Sequence, residues 1–181
     1  MGESCAGAMT ILDFEDIHSH TPGKGRVLSV DVTDSKDLEK LAPGQYFTAG
    51  VHPWHADACV DWLSLGRLLD SPYCVGVGEC GIDMRRGPDA AVQEVILRRQ
   101  LDMSVEKGLP VVLHIVGAID RLLALRKEYG AEGLWIVHGF RGKAATARQL
   151  VAAGIHISLG ERYNPGVPDS VDSLFIHGET D

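Results

Sequence analysis

The stretch Tyr73-Cys74-Val75-Gly76-Val77-Gly78-Glu79-Cys80-Gly81-Ile82-Asp83 decides between two folds. Residues Gly76 to Gly81 satisfy G-x-G-x-x-G, which binds a dinucleotide when it follows a strand, opens a helix and belongs to a doubly wound sheet. That context is missing. After Gly81 the chain reads Ile82-Asp83-Met84-Arg85-Arg86-Gly87-Pro88, which opens no helix, and Asp102 falls inside a helical pattern instead of ending a second strand. The competing reading is a fourth strand, Tyr73 to Gly78, followed at once by a carboxylate, Glu79, with glycines that permit close backbone approach.

Outward from this stretch, short apolar β-branched runs alternate with longer amphipathic ones, the pattern of successive β-α units. Eight strands are expected: Leu12 to Ile17, Arg26 to Val32, Tyr46 to Val51, Tyr73 to Gly78, Val111 to His114, Leu134 to His138, His156 to Leu159 and Leu174 to His177. Four helices follow from apolar residues on one face: Trp62, Leu65 and Leu69; Leu97, Leu101 and Val105; Ile119, Leu122 and Leu123; Ala144, Ala147, Leu150 and Val151. The segments after the first, second and seventh strands are rich in Gly, Pro, Asp and Asn and read as loops or single turns. Histidines or acids stand at or just after the ends of strands one, three, four, five, six and eight. Only a closed barrel brings so many strand ends around one mouth, so the expected fold is α/β, a short (β/α)8 TIM-type barrel.

The chain has 181 residues, whereas such barrels take about 250 and rarely fewer than about 200. Some helices must therefore be missing. Residues 1–10 are expected to be a flexible leader and 11–181 a single barrel domain. The eighth strand has no helix after it, so the barrel is expected to be C-terminally truncated, with the eighth, first and seventh strands poorly shielded. A hydrophobic content of 45% with 23% charged residues excludes disordered and coiled-coil classes. The net charge of −8 disfavours a broad basic surface for nucleic acid and leaves room for a local one. Cys5, Cys59, Cys74 and Cys80 form no C-x-x-C pair, so neither a zinc ribbon nor a disulfide framework is indicated. Reduced thiols and the lack of a signal-like or membrane-length apolar run fit a cytoplasmic protein.

His18 and His20 follow one another at alternate positions after the first strand, so both project to one side, where two imidazoles can share a metal. His114 and His138 each end an apolar strand. Any one of these alone reads as readily as a satisfied core histidine. Together with Glu79, and with Glu179-Thr180-Asp181 after the eighth strand, they form a metal-ligand inventory around one mouth. Arg85, Arg86, Arg141 and Lys143, on loops after strands four and six, are candidate phosphate-binding groups, with solvated loop charge as the alternative. His55, His156 and His177 belong to no motif and are assigned structural or surface roles.

These residues resemble the TatD-like metal-dependent hydrolases, a family of amidohydrolase-type barrels. The resemblance spans Asp16 to Asp181 and rests on D-I-H-S-H at 16–20, G-V-H-P-W at 50–54, G-E-C-G-I-D at 78–83, P-V-V-L-H at 110–114, H-G-F-R-G at 138–142 and E-T-D at 179–181. It implies a two-metal site with His18, His20 and Asp181 on one ion, His114 and His138 on the other, and Glu79 bridging them. Asp181 would also take the proton of the attacking water, which makes Asp181 and Glu79 the catalytic pair. His52 matches the family's G-x-H-P and is expected to line the pocket as a substrate-binding residue without ligating metal. The mixed donors suit zinc or manganese, and family members are often assigned magnesium or zinc. The implied activity is metal-dependent deoxyribonuclease action from a DNA 3′ end, with two divalent ions as cofactors. Where many members read H-C-F-S-G this chain has H-G-F-R-G. Two alternatives stand beside it: hydrolysis of a small ester or amide, including an aminoacyl ester, and an inactive truncated barrel or binding module.

Overall fold

The structure is a computed structural model that describes residues 9–180. Eight strands lie in one sheet in chain order, every neighbouring pair parallel: β1 Asp16–Ser19, β2 Arg26–Asp31, β3 Phe47–Gly50, β4 Cys74–Asp83, β5 Val111–Val116, β6 Trp135–Val137, β7 Ile155–Leu159 and β8 Ile176–Gly178. The sheet curls into a nearly closed barrel. Across the β8/β1 seam the Thr180 amide donates to the His18 carbonyl (3.4 Å), and the same residue bonds the Asp16 carboxylate through its amide and hydroxyl.

Helices α1 Ser35–Glu39, α2 Trp62–Leu69, α3 Ala90–Lys107, α4 Ile119–Tyr129 and α5 Ala144–Ala152 cover the outside. Their limits follow local chemistry. Asp61 caps α2 by accepting from the amides of Leu63 and Ser64, and Asp89 caps α3 by accepting from Ala91. Gly108 ends α3 in the left-handed region (φ 64°), where a side chain would be strained. Leu97 and Leu101 of α3, Leu122 and Leu125 of α4, and Ala147 and Leu150 of α5 pack on the outer faces of β4 to β7. A separate cluster of Ile17, Val27, Val75, Val112 and Ile136 packs beside Ile11.

Several expectations are corrected. Residues Ile11–Asp13 form a 3-10 turn, so the first strand begins at Asp16; the Asp13 carboxylate ties this turn to the amide and hydroxyl of Thr10. Leu12 is half exposed, since a turn presents its residues by position and not by apolarity. The fourth strand does not stop at Gly78 but runs on, buried throughout, to Asp83. The reason is β5: a Cβ on Gly78 would collide with the Val112 carbonyl, and one on Gly81 with that of His114. The glycines that mimic a dinucleotide motif serve this strand contact. His114 consequently lies within β5 instead of closing it. On α3 the buried face is completed by Ser104, while Val105 is 69% exposed. β1 is wholly buried and β7 largely so, contrary to the poor shielding expected for them; β8 is only partly covered. Residues 1–8 of the expected leader, and Asp181, lie outside the described residues.

Candidate metal centre

The C-terminal ends of the strands deliver their polar residues to one point, the carboxylate of Glu79 on β4. Its Oε1 lies 2.7 Å from His114 Nδ1 (β5), 2.8 Å from His138 Nε2 (after β6) and 3.0 Å from His52 Nε2 (after β3). Its Oε2 lies 3.3 Å from His18 Nε2 and 3.6 Å from His20 Nε2, from β1 and the residue just beyond it. Five imidazoles thus surround one carboxylate. Glu79 and His18 are buried, whereas the His20 side chain is 47% exposed at the rim.

Burial works to raise the Glu79 pKa, but the charge of His138 and hydrogen bonds from His114 and His138 outweigh it and hold the carboxyl well below its usual range. Burial, and next to it the neighbouring His138, push the His18 pKa down, so that this ring favours its neutral form. Neutral imidazole and ionised carboxylate are the protonation states that bind divalent metals. Two sets of donors lie within 4.8 Å of one another: His18, His20 and Glu79, and His52, Glu79 and His114. Among the described residues, both ring nitrogens of His18 and Oε2 of Glu79 are buried with no hydrogen-bond partner. Such groups are costly unless something else satisfies them, and a divalent cation held by nitrogen and oxygen donors fits that need.

A second ring of residues orients the first. Asp83 Oδ2 lies 3.2 Å from His114 Nε2 and accepts from Trp54 Nε1 at 2.8 Å, while its Oδ1 accepts from the Arg85 amide. Glu179 Oε2 accepts from Ser158 Oγ (2.5 Å) and stands 3.8 Å from His138 Nδ1. Carboxylates behind metal-facing imidazoles fix tautomer and ring orientation. Sequence reading missed Asp83, although it lies four residues after Glu79 within the same motif, and gave Glu179 no partner.

The remaining candidates separate. His52, Trp54 and His55 line a cavity of about 350 Å³ that opens onto Glu79. His55 Nδ1 contacts Asp31 Oδ2 at 2.7 Å. Arg85 and Arg141 line a second cavity of about 680 Å³ on the far side of His114 and His138. Arg86 is not in either wall; its guanidinium lies over the Trp54 ring at 4.6 Å. Lys143 precedes α5 and lines neither cavity. His156 Nδ1 and His177 Nε2, on β7 and β8, contact each other at 2.8 Å, away from the centre. Asp181, the proposed sixth ligand, lies outside the described residues.

A parallel eight-stranded barrel with a carboxylate ringed by imidazoles at its C-terminal mouth defines an α/β barrel built to carry a metal centre. The family model of TatD related DNase matches residues 17–166, and the chain belongs to that family. A protein of Erwinia billingiae described as a 3'-5' ssDNA/RNA exonuclease TatD is 34% identical over 148 residues, covering 74% of this chain and 54% of the relative. One of the same description from Klebsiella pneumoniae is 28% identical over 170 residues, covering 83% and 63%. The chain thus spans about half to two thirds of the length of these relatives. Among solved structures, the TatD homologue YJJV of Escherichia coli K12 aligns with a TM-score of 0.70 at 26% identity, covering 86% of this chain and 67% of that one. A TatD family hydrolase from Entamoeba histolytica has the same fold, with a TM-score of 0.71 at 21% identity over 87% and 61% of the two chains. No helix of the described residues is long and apolar enough to cross a membrane.

Proposed function

We propose that the chain is a metal-dependent phosphodiesterase that trims single-stranded nucleic acid from its 3′ end. The observation that carries this reading is the Glu79 carboxylate inside five imidazoles, with buried donor atoms of His18 and Glu79 left without hydrogen bonds. In this reading His18, His20 and Asp181 hold one ion, His114 and His138 the other, with Glu79 between them and His52 beside Glu79. Zinc, manganese and magnesium are all candidates. When bound, divalent cations stabilise charge on phosphoryl oxygens and make water acidic enough to attack near neutral pH. Asp181 would receive the proton of the attacking water. Asp83 keeps His114 turned toward Glu79, Glu179 stands behind His138, and Arg85 and Arg141 would hold phosphates next to the scissile one. The net charge of −8 does not oppose this, since an enzyme gripping a strand end needs only a few phosphate contacts. The relatives described as ssDNA/RNA exonucleases support the substrate class. The free thiols of Cys59, Cys74 and Cys80 support a reducing, cytoplasmic setting.

The test is a substrate panel on purified protein. Shortening of a labelled single-stranded oligonucleotide from its 3′ end, stopped by EDTA and restored by manganese or zinc, is expected. Turnover confined to ester or amide substrates, aminoacyl esters among them, would overturn the reading in favour of the small-ester alternative.

A further inference from the structure

The two cavities that share Trp54, His114 and His138 have opposite charge. The first is walled by Asp31, Asp34 and Asp37 from β2 and α1, facing His52 and His55, and no lysine or arginine lines it among the described residues. Lys40 pairs with Asp37 at 2.6 Å from outside this wall, which leaves Asp31 and Asp34 as its acids with no lysine or arginine partner among the described residues. The Asp31 carboxylate is fixed, accepting from the amide and hydroxyl of Thr33 and contacting His55. This acidic arm opens directly onto Glu79, whose Oε2 is buried without a hydrogen-bond partner. The second cavity carries Arg85 and Arg141 with no acid in its lining among the described residues, and Gly117, Ile119 and Thr146 place the N-terminal turns of α4 and α5 against it. Helix N-termini favour anions. Trp54, His114 and His138 belong to both walls, so a basic arm and an acidic arm adjoin across these three side chains.

A phosphodiester strand held at its scissile phosphate has phosphates on one side only when cleavage occurs next to an end. We infer that the cleft reads the strand terminus: the phosphates run over Arg85 and Arg141, the terminal nucleoside enters the acidic arm, and Asp31 and Asp34 reject a terminus that bears a 3′-phosphate. This rests on the 3′-end nuclease reading above. A free 3′-hydroxyl and base N–H groups are donors that carboxylates accept, and the rings of His52 and Trp54 provide flat surfaces for a base. A phosphate placed there would meet two like charges with no lysine or arginine in the wall among the described residues.

The experiment compares 5′-fluorescein-labelled hexathymidylate ending in a 3′-hydroxyl with the same oligonucleotide ending in a 3′-phosphate. Cleavage is followed with manganese, and binding separately by anisotropy with calcium. In the wild type the hydroxyl end is favoured roughly tenfold or more in both measurements, the scale of one or two partly screened like charges. Asp34→Asn, and Asp31→Asn if circular dichroism shows it folded, bring that ratio toward unity. Arg141→Ala weakens both oligonucleotides alike and leaves the ratio standing. Equal treatment of the two ends by an active enzyme overturns the inference while the nuclease reading survives. The same end preference in binding, without cleavage of either, supports the inference and removes the nuclease reading. Discrimination that persists in Asp34→Asn, discrimination at the 5′ end instead, or no binding of either probe also overturns it.

Discussion

Replacing Asp83 with Asn isolates what a carboxylate behind an imidazole does for this centre. The backbone is held independently, because Gln93 accepts from the Asp83 amide at 2.7 Å and donates to its carbonyl at 3.0 Å, so only the side chain changes. Aspartate offers acceptors on both oxygens: one to the Arg85 amide at 2.8 Å, the other to Trp54 Nε1 at 2.8 Å and to His114 Nε2 at 3.2 Å. With a proton drawn to its Nε2, His114 would offer an Nδ1 lone pair to an ion held beside Glu79, in place of the hydrogen bond it makes to that carboxylate without metal. Asparagine has one oxygen and one NH2 group. In either orientation a donor faces a donor, at the Arg85 amide or at the Trp54–His114 pair. The loss is one charge-assisted hydrogen bond, about 1.5–3 kcal/mol, which at about 1.4 kcal/mol per decade is roughly 10–100-fold in metal affinity. The assay is competition between EDTA-stripped protein and a chromophoric zinc chelator, with the Tm of the metal-free variant recorded beside it. A folded Asp83→Asn protein that binds zinc within twofold of the wild type would refute the positioning role.

The pair His156 and His177 gives a pH prediction. Burial and the adjacent His156 lower the His177 pKa to about 4, below the ordinary value of 6.5. The unfolded chain therefore takes up a proton near 6.5 that the folded chain refuses until about 4, so stability falls as pH drops through that window. Thermal melts in EDTA should show a smaller loss of Tm between pH 7 and 5 for His177→Gln than for the wild type; equal losses would contradict the assignment. Burial pushes the Cys74 thiol up to about 11 and raises that of Cys80 further, while Cys59 is exposed. In a Cys5→Ser background, native protein should titrate one thiol rapidly with Ellman's reagent, and two or three fast thiols would argue against the packing of β4. Gly81→Ala would drive a methyl group into the His114 backbone. Its urea midpoint should reflect a loss beyond the roughly 1–3 kcal/mol typical of overpacking, and wild-type stability would contradict the closeness of β4 and β5.

Much of this architecture is legible in the sequence because it depends on local pattern. The runs at β5 and β6 are dense in β-branched residues, those at β2, β3 and β7 are short and largely buried, and the histidines and Glu79 stand out as polar groups in or just after apolar stretches. What local pattern missed depends on neighbours. The expected fourth strand ends at Gly78, its glycines allowing a close backbone approach, and it is the tight approach of β5 at Gly78 and Gly81 that lets β4 continue. Leu12 is expected to open the first strand but belongs to a turn in which its neighbour Ile11 is buried and Leu12 is not. Val105 keeps the helical spacing of Leu101 and still faces solvent, while Met103 and Ser104 take the buried side of that last turn. Asp31 ends β2 just as Glu79 follows Gly78, but an acid at a strand end does not tell which wall of the cleft it will join. Asp83 and Glu179 stand behind His114 and His138, neighbours 31 and 41 residues away in the chain, a relation that only the closed barrel creates.

The central claim is that the chemistry of this barrel depends on metal held around Glu79. Cleavage of a single-stranded oligonucleotide by EDTA-stripped wild type and Glu79→Ala, measured across added manganese, tests it most directly. The expected result is no turnover without metal, recovery on its addition, and Glu79→Ala slower on the order of a thousandfold at every concentration, matching several kcal/mol of lost charge stabilisation. Turnover in EDTA, or a folded Glu79→Ala protein that keeps the wild-type rate, would contradict it.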